Sequence, residues 1–145
     1  MHCAFALRLT ESLDMDARRL QGLDLFSGLA KSELEEVARL VDEVDVDAGR
    51  VLGREGQIAY EFFVIEQGTA SVEIDGRHVT DLGPDEWFGE IGLLATDRRT
   101  ATVTAKTPMR LAVIFGPNFR SLTRHLPGLE QTIRAEIDER LARAS

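Results

Sequence analysis

The sequence predicts a mainly β fold: an antiparallel, jelly-roll-like β-roll of about eight strands, with a helix before it, a short helix inside it and helices after it. Three observations carry this expectation. Between residues 43 and 116 apolar and polar residues alternate with period two in short runs, most of them closed by Gly or Asp-Gly. On both sides of that region the spacing lengthens to a helical one. The length of 145 residues suits one domain large enough to hold a core without staples.

Taken in order, residues 1–22 read as an N-terminal extension with a helix over about 16–22, and residues 23–145 as the domain proper. Met15 opens MDARRLQGLDLF, which would serve as a natural start, so the first residues read as dispensable. In SELEEVARLV, Ser32 and Glu35 have the spacing of a capping box, and Leu34, Val37, Ala38 and Val41 follow on one helical face. Phe26 and Leu29 stand just before it, placed to pack on that face.

The runs EVDVDAG, EFFVIEQG, TASVEIDG, RHVTDLG, TATVTAKT and RLAVIFG are the strand candidates. In TASVEI, Ala70, Val72 and Ile74 should face the core, with Ser71 and Glu73 outward. Asp75-Gly76 predicts a type I′ hairpin, and Gly83-Pro84-Asp85 a second turn. FGPNFRSLTRHL reads as a short amphipathic helix ended by Pro127, after which Leu129, Ile133, Ile137 and Leu141 form one stripe of a terminal helix.

Composition removes several classes of function. Seventeen Lys and Arg against 25 Asp and Glu give a net charge of −8, unsuited to neutralising a phosphate backbone, so direct nucleic-acid binding is not expected. A small anionic ligand is compatible, because one buried arginine sets the local potential. Cys3 is the only cysteine, which excludes a disulfide within the chain and cysteine-ligated metal, and fits a reducing cytoplasm. No apolar run approaches the roughly 20 residues of a membrane span, and the opening lacks a basic leader. Lysine is confined to Lys31 and Lys106 while arginine is common, the usage of a GC-rich bacterial genome. His2, His78 and His125 are scattered without metal-ligand spacing, and neither a serine elbow nor a Walker loop occurs, so neither metal nor enzyme activity is expected. The carboxylates over 33–47 read as a solvated helix face and strand edge.

Period two fails at one place in the β region, FGEIGLLATDRRTATV over 88–103. Gly89 and Gly92 permit close backbone approach, and N–H groups opening a short helix form an anion site. Arg99 supplies a planar charged fork matched to phosphate oxygens, Thr100 a hydroxyl, and Glu90 an acceptor for a sugar hydroxyl. Together these are the parts of a pocket for a phosphate joined to a sugar. The competing reading is an ion pair between Glu90 and Arg99 that closes an internal loop.

Phe88-Gly89-Glu90, Ile91-Gly92-Leu93 and Arg99-Thr100-Ala101-Thr102-Val103 resemble the phosphate-binding cassette of cyclic nucleotide-binding domains, the family of the bacterial cAMP receptor protein and the protein kinase A regulatory subunit. The resemblance extends over roughly residues 23–143, through LFSGLAKSELEEVARL, GREGQIAYEFFVIEQGTASV and DLGPDEWFGE. It implies that Arg99 pairs with the exocyclic phosphate, that Glu90 accepts from the ribose 2′-hydroxyl, and that backbone N–H groups of Gly89, Gly92 and Ala101 line the phosphate. Val72, Val79 and Leu82 fall where the family builds the apolar wall around sugar and base, although each is equally an ordinary core residue. Ile133, Arg134, Ile137 and Arg140 fall on the final helix, which in the family lies over the base. Arg98 stands where the family often has proline.

The implied function is a regulatory module without an attached output domain. Its ligand would be cAMP in preference to cGMP, with no other cofactor, and it would signal through its C-terminal helix to a protein partner or a second copy. The alternative is an interaction or dimerisation module that keeps the fold and binds no nucleotide.

Overall fold

A strand covered on one face alternates apolar and polar residues, whereas a strand covered on both faces is apolar throughout. The two longest apolar runs, FFVI and LAVI, are of the second kind and form the centre of the molecule. The computed structural model describes residues 12–144. His2, Cys3 and most of the remaining opening segment lie outside the described residues.

Helix α1 (Ser12–Gln21), a 3₁₀ turn (Asp24–Phe26) and α2 (Lys31–Leu40) precede eight strands. These are β1 (Val41–Val46), β2 (Val51–Gly53), β3 (Glu61–Gln67), β4 (Ala70–Ile74), β5 (Arg77–Leu82), β6 (Trp87–Phe88), β7 (Thr102–Ala105) and β8 (Met109–Phe115). A π-helical turn (Gly92–Thr96) separates β6 from β7, and α3 (Gly116–His125) and α4 (Pro127–Ala144) follow β8. The strands form two antiparallel sheets of order β1-β8-β3-β6 and β2-β7-β4-β5, the β-roll that the sequence predicts.

Phe63 and Ile65 of β3, Phe88 of β6 and Leu111 and Val113 of β8 face the second sheet, where they meet Ala70, Leu82, Val103 and Ala105. The alternate residues Phe62, Val64, Ala112 and Ile114 face outward, under a layer of helices that contributes Leu20, Val37, Phe119, Leu122, Ile133 and Ile137. Each layer is keyed by an aromatic stack: Phe62 on Phe119 at 4.3 Å and Phe63 on Phe88 at 4.6 Å. Helix α4 is therefore seated on the same sheet whose other face lines the roll. No helix among the described residues is long and apolar enough to cross a membrane.

The turns follow their chemistry. Asp75 and Gly76 both have positive φ, 53° and 76°, as a type I′ hairpin requires. Asp85 has φ 76°, and the Glu86 N–H donates to the Gly83 carbonyl at 3.1 Å across Pro84. Two local expectations are corrected. Helix α2 starts at Lys31, and it is Glu33, not Glu35, that accepts from a capping N–H, that of Ala30 at 2.8 Å. Starting there lets the Leu34 N–H reach the Ala30 carbonyl at 2.9 Å, which leaves Ser32 inside the first turn. Val41, expected on this helix, opens β1 instead. Of the terminal stripe, Leu129, Ile133 and Ile137 are buried and Leu141 is exposed.

Candidate functional site

The cassette is built where β6 ends. Gly89 takes φ 100°, a conformation costly for any residue with a Cβ, and a Cβ there would lie 2.7 Å from both Arg99 Nη1 and the Glu61 carbonyl oxygen. At Gly92 a Cβ would lie 2.7 Å from that of Ala59. Both glycines thus let the segment 89–92 lie against 59–61 and against Arg99. Helical backbone continues to Thr96, and Asp97 at φ 64° turns the chain out of it. Residues 56–59 then zip antiparallel to 97–99: the Arg99 N–H donates to the Gln57 carbonyl at 2.7 Å, and the Arg99 carbonyl accepts from Gly56 at 2.9 Å. That ladder fixes the Arg99 backbone, and Arg120 of α3 donates from Nε to the Leu93 carbonyl at 3.1 Å, tying the turn to the next helix.

The Arg99 side chain points inward. Its Nη2 donates to the Glu61 carbonyl at 2.8 Å, and its guanidinium lies 5.5 Å from the Phe63 ring centroid, a cation–π contact. Its Nη1 is buried and has no hydrogen-bond partner. Burial lowers the Arg99 pKa, against which the nearby Glu61 and Glu90 carboxylates act. The guanidinium stays charged, because arginine does not give up its proton in proteins.

Glu90 is fully buried. Its Oε2 pairs with Arg140 Nη1 of α4 at 2.7 Å, not with Arg99, so the ion pair offered by the loop-closing reading is replaced by a longer-range one. Arg140 also donates from Nη2 to the Trp87 carbonyl at 2.6 Å and from Nε to Glu136 at 2.8 Å. The Oε1 of Glu90 is buried without a partner. Burial raises the Glu90 pKa above the usual carboxylate range, and Arg140 opposes it.

The other candidate residues fall as follows. Thr100 is exposed and Ala101 half-buried, just before β7. Val72 of β4 is half-buried against the inner core, and Leu82 of β5 lies within that core. Val79 is 54% exposed, the extra residue of a bulge where Val72 pairs with Thr80 and Glu73 with His78. Ile133 and Ile137 are buried under the helical layer, while Arg134 is half-exposed and 3.6 Å from Glu130 one turn earlier.

The structure thus brings Gly89, Glu90, Gly92 and Arg99 together and adds Arg140, whose pairing with Glu90 the sequence did not reveal. Its one signal is position: Arg140 follows Ile133 and Ile137 on their buried face.

Comparison with known proteins gives a consistent picture. The family model described as "Cyclic nucleotide-binding domain" matches residues 43–125, more than half of the chain. The chain is 34% identical over 116 residues to a cyclic nucleotide-gated potassium channel of Rhizobium etli, a match covering 80% of this chain and 32% of the channel. It is 35% identical over 104 residues to the cAMP-dependent protein kinase regulatory subunit of Schizosaccharomyces pombe, covering 71% of this chain and 25% of that protein. It therefore spans about a quarter to a third of these relatives. Among solved structures, the regulatory domain of Toxoplasma gondii PKA with cAMP shares the fold with a TM-score of 0.80 at 20% identity, over 90% of this chain and 51% of the other.

Proposed function

The chain belongs to the cyclic nucleotide-binding domain family, and from that premise we propose that it is a regulatory module that binds cAMP, and cGMP more weakly, and that signals by repositioning α4. One observation carries the reading. Two buried polar atoms of opposite character, Arg99 Nη1 and Glu90 Oε1, lack partners at the same cassette. Buried polar groups are almost always satisfied, so an orphaned cationic donor and an orphaned anionic acceptor together call for a ligand carrying an anionic oxygen and a hydroxyl. A cyclic nucleotide offers both on one rigid ring, and the names of the potassium channel and the kinase subunit point to the same ligand class.

In this reading Arg99 holds an exocyclic phosphate oxygen, assisted by backbone N–H groups of Gly89, Gly92 and Ala101 and by the Thr100 hydroxyl. Glu90 Oε1 accepts from the 2′-hydroxyl. Val72, Val79 and Leu82 border sugar and base. Arg134, half-exposed on α4, reaches the base directly, whereas Ile133 and Ile137, buried in the state described, reach it only after α4 shifts.

The signal arises from the second oxygen of Glu90. Because Oε2 is held by Arg140 while Oε1 meets the ribose, one carboxylate is shared between ligand and α4. Ligand binding changes the strength and geometry of that shared group, and α4 moves to the extent that its two positions bind the ligand differently. The module performs no catalysis of its own. A protein partner or a second copy in the cytoplasm reads the helix.

A second reading is favoured by a specific observation. Arg140 on Glu90, and Glu61 and Phe63 on Arg99, already give each charged group at least one partner, as a purely structural cassette in an interaction module would require. Calorimetric titration with cAMP, cGMP and 5′-AMP separates the two. A Kd near ~1 μM for a cyclic nucleotide, roughly −8 kcal/mol, with no binding of 5′-AMP, supports the sensor. No heat from any of the three at millimolar ligand, with folded protein, overturns it.

A further inference from the structure

Away from the cassette, the outer face of the first sheet carries a buried charge cluster that nucleotide binding does not use. Glu43 of β1, Glu66 of β3 and Arg110 of β8 lie side by side on the face covered by helices, and Arg19 of α1 closes over them. The Glu43 side chain is 6% exposed and that of Glu66 10% exposed, although the sequence places both in runs that read as half-solvated. Arg19 donates to Glu43 from Nε at 3.0 Å and also from Nη2. Arg110 donates to Glu43 at 3.2 Å and to Asp45 at 3.2 Å. Glu66 is less well served: its Oε1 lies 3.8 Å from Arg19 and 4.0 Å from Arg110, and its buried Oε2 has no hydrogen-bond partner.

We propose that Glu43 and Glu66 share a proton beneath Arg19, and that this shared proton makes α1 a pH-sensitive cover that is seated when the proton is present and loosened when it is lost. Glu66 faces the charges of Glu43 of β1, Arg110 of β8 and Arg19 of α1. With Glu66 ionised, two buried carboxylates lie side by side, and among the described residues Glu66 has no cation closer than 3.8 Å. With Glu66 protonated that repulsion is gone, and the carboxyl O–H gains an acceptor in Glu43. Burial, then the adjacent Glu43 carboxyl, pushes the Glu66 pKa up to about 7, so the change falls near neutral pH.

The direction follows from linkage. Lifting α1 exposes the cluster to water, which favours ionised Glu66, so the seated state binds the proton more tightly than the lifted one. As pH rises towards 7 the lifted state gains, by at most about tenfold per pH unit for one proton. Ala17 and Leu20 still hold α1 to the helical layer, so the result is a shift in local opening and not detachment.

The experiment is hydrogen exchange over the peptide 12–21, corrected for intrinsic rates, at about pH 5.5 and about pH 8, on wild type and on Glu66→Gln. The expected result is that the opening constant of α1 rises about tenfold or more in wild type across that interval, and less than about twofold in the variant. A flat wild-type profile, or a variant that keeps the full rise, overturns the proposal. The carboxyl carbon of Glu66 in wild type, followed by NMR, decides independently of how the variant folds. A midpoint near 7 agrees, and one below about 5.5 overturns it.

Discussion

Glu90 and Arg140 are joined at 2.7 Å although 50 residues separate them in sequence, and that contact is the polar bond between the cassette and the terminal helix. Glu90 is wholly buried and Arg140 is 19% exposed, so removing one partner strands the other in a poorly solvated site. Arg140→Ala should therefore lower unfolding free energy by about 3 kcal/mol in urea titration. Adding Glu90→Gln should restore a good part of that loss, because the uncompensated charge is then gone. A single variant as stable as wild type would mean that the pair carries no such role.

Arg99→Ala removes the guanidinium proposed to hold the phosphate. The expected loss in cAMP affinity is about 1.5–3 kcal/mol, or roughly ten- to a hundredfold, by calorimetry. Stability should change little, since the guanidinium is itself strained by burial and one of its nitrogens has no partner. Arg99→Lys should recover only part of the affinity, because an ammonium keeps the charge but not the fork. Unchanged binding in Arg99→Ala would remove this residue from the site.

Gly89→Ala tests the close approach. The new methyl must occupy a point 2.7 Å from the Glu61 carbonyl oxygen and 2.7 Å from Arg99 Nη1, at a φ of 100°. The carbonyl is part of β3 and cannot yield cheaply, so a stability loss of about 1–3 kcal/mol is expected by thermal or urea melting. Arg99 is displaced by the same methyl, and nucleotide affinity should fall with it.

How far the sequence reveals this arrangement depends on whether a feature is local. The hairpin at Asp75-Gly76 and the outward Glu73 follow from turn chemistry and period two, and both are found. The glycines and Arg99 stand within one short motif, so their clustering is legible as well. Glu90–Arg140 is not, because helical spacing puts Arg140 on the face of Ile133 and Ile137 but does not say which distant group it meets there. Glu43 reads in the sequence, with its neighbours, as a solvated edge and is instead 8% exposed. Alternation shows that Glu43 and Val44 point to opposite sides, but it cannot show that helices will cover the Glu43 side while the second sheet covers the Val44 side.

Ile133→Ala probes the seating of α4. Ile133 is completely buried among residues of the helical layer, so truncation should cost about 2–5 kcal/mol, while Ile133→Val should cost about 0.5–1.5 kcal/mol. A much smaller loss would show that α4 collapses readily onto the sheet. That would be a property of a helix with more than one resting place.

The pH dependence of stability should carry the mark of Glu66. Its folded pKa of about 7 lies above the ordinary 4.5, so between those values the folded chain holds a proton that the unfolded chain has lost. Stability from this group is thus fully present below about 4.5, is lost as pH rises through about 7, and is constant above. Partial solvent screening reduces the effect to about 1–2 kcal/mol. Buried Glu90 acts in the same direction, and Asp81, whose pKa is lowered by Lys106 and His78, acts in the opposite one from an exposed position. The comparison to make is therefore wild type minus Glu66→Gln, in urea titrations at about pH 5 and about pH 8, since the other groups cancel in that difference. Wild type should lose ground to the variant as pH rises. A difference that stays constant would mean that Glu66 titrates alike in the folded and unfolded chains, and that its burial under Arg19 has no thermodynamic consequence.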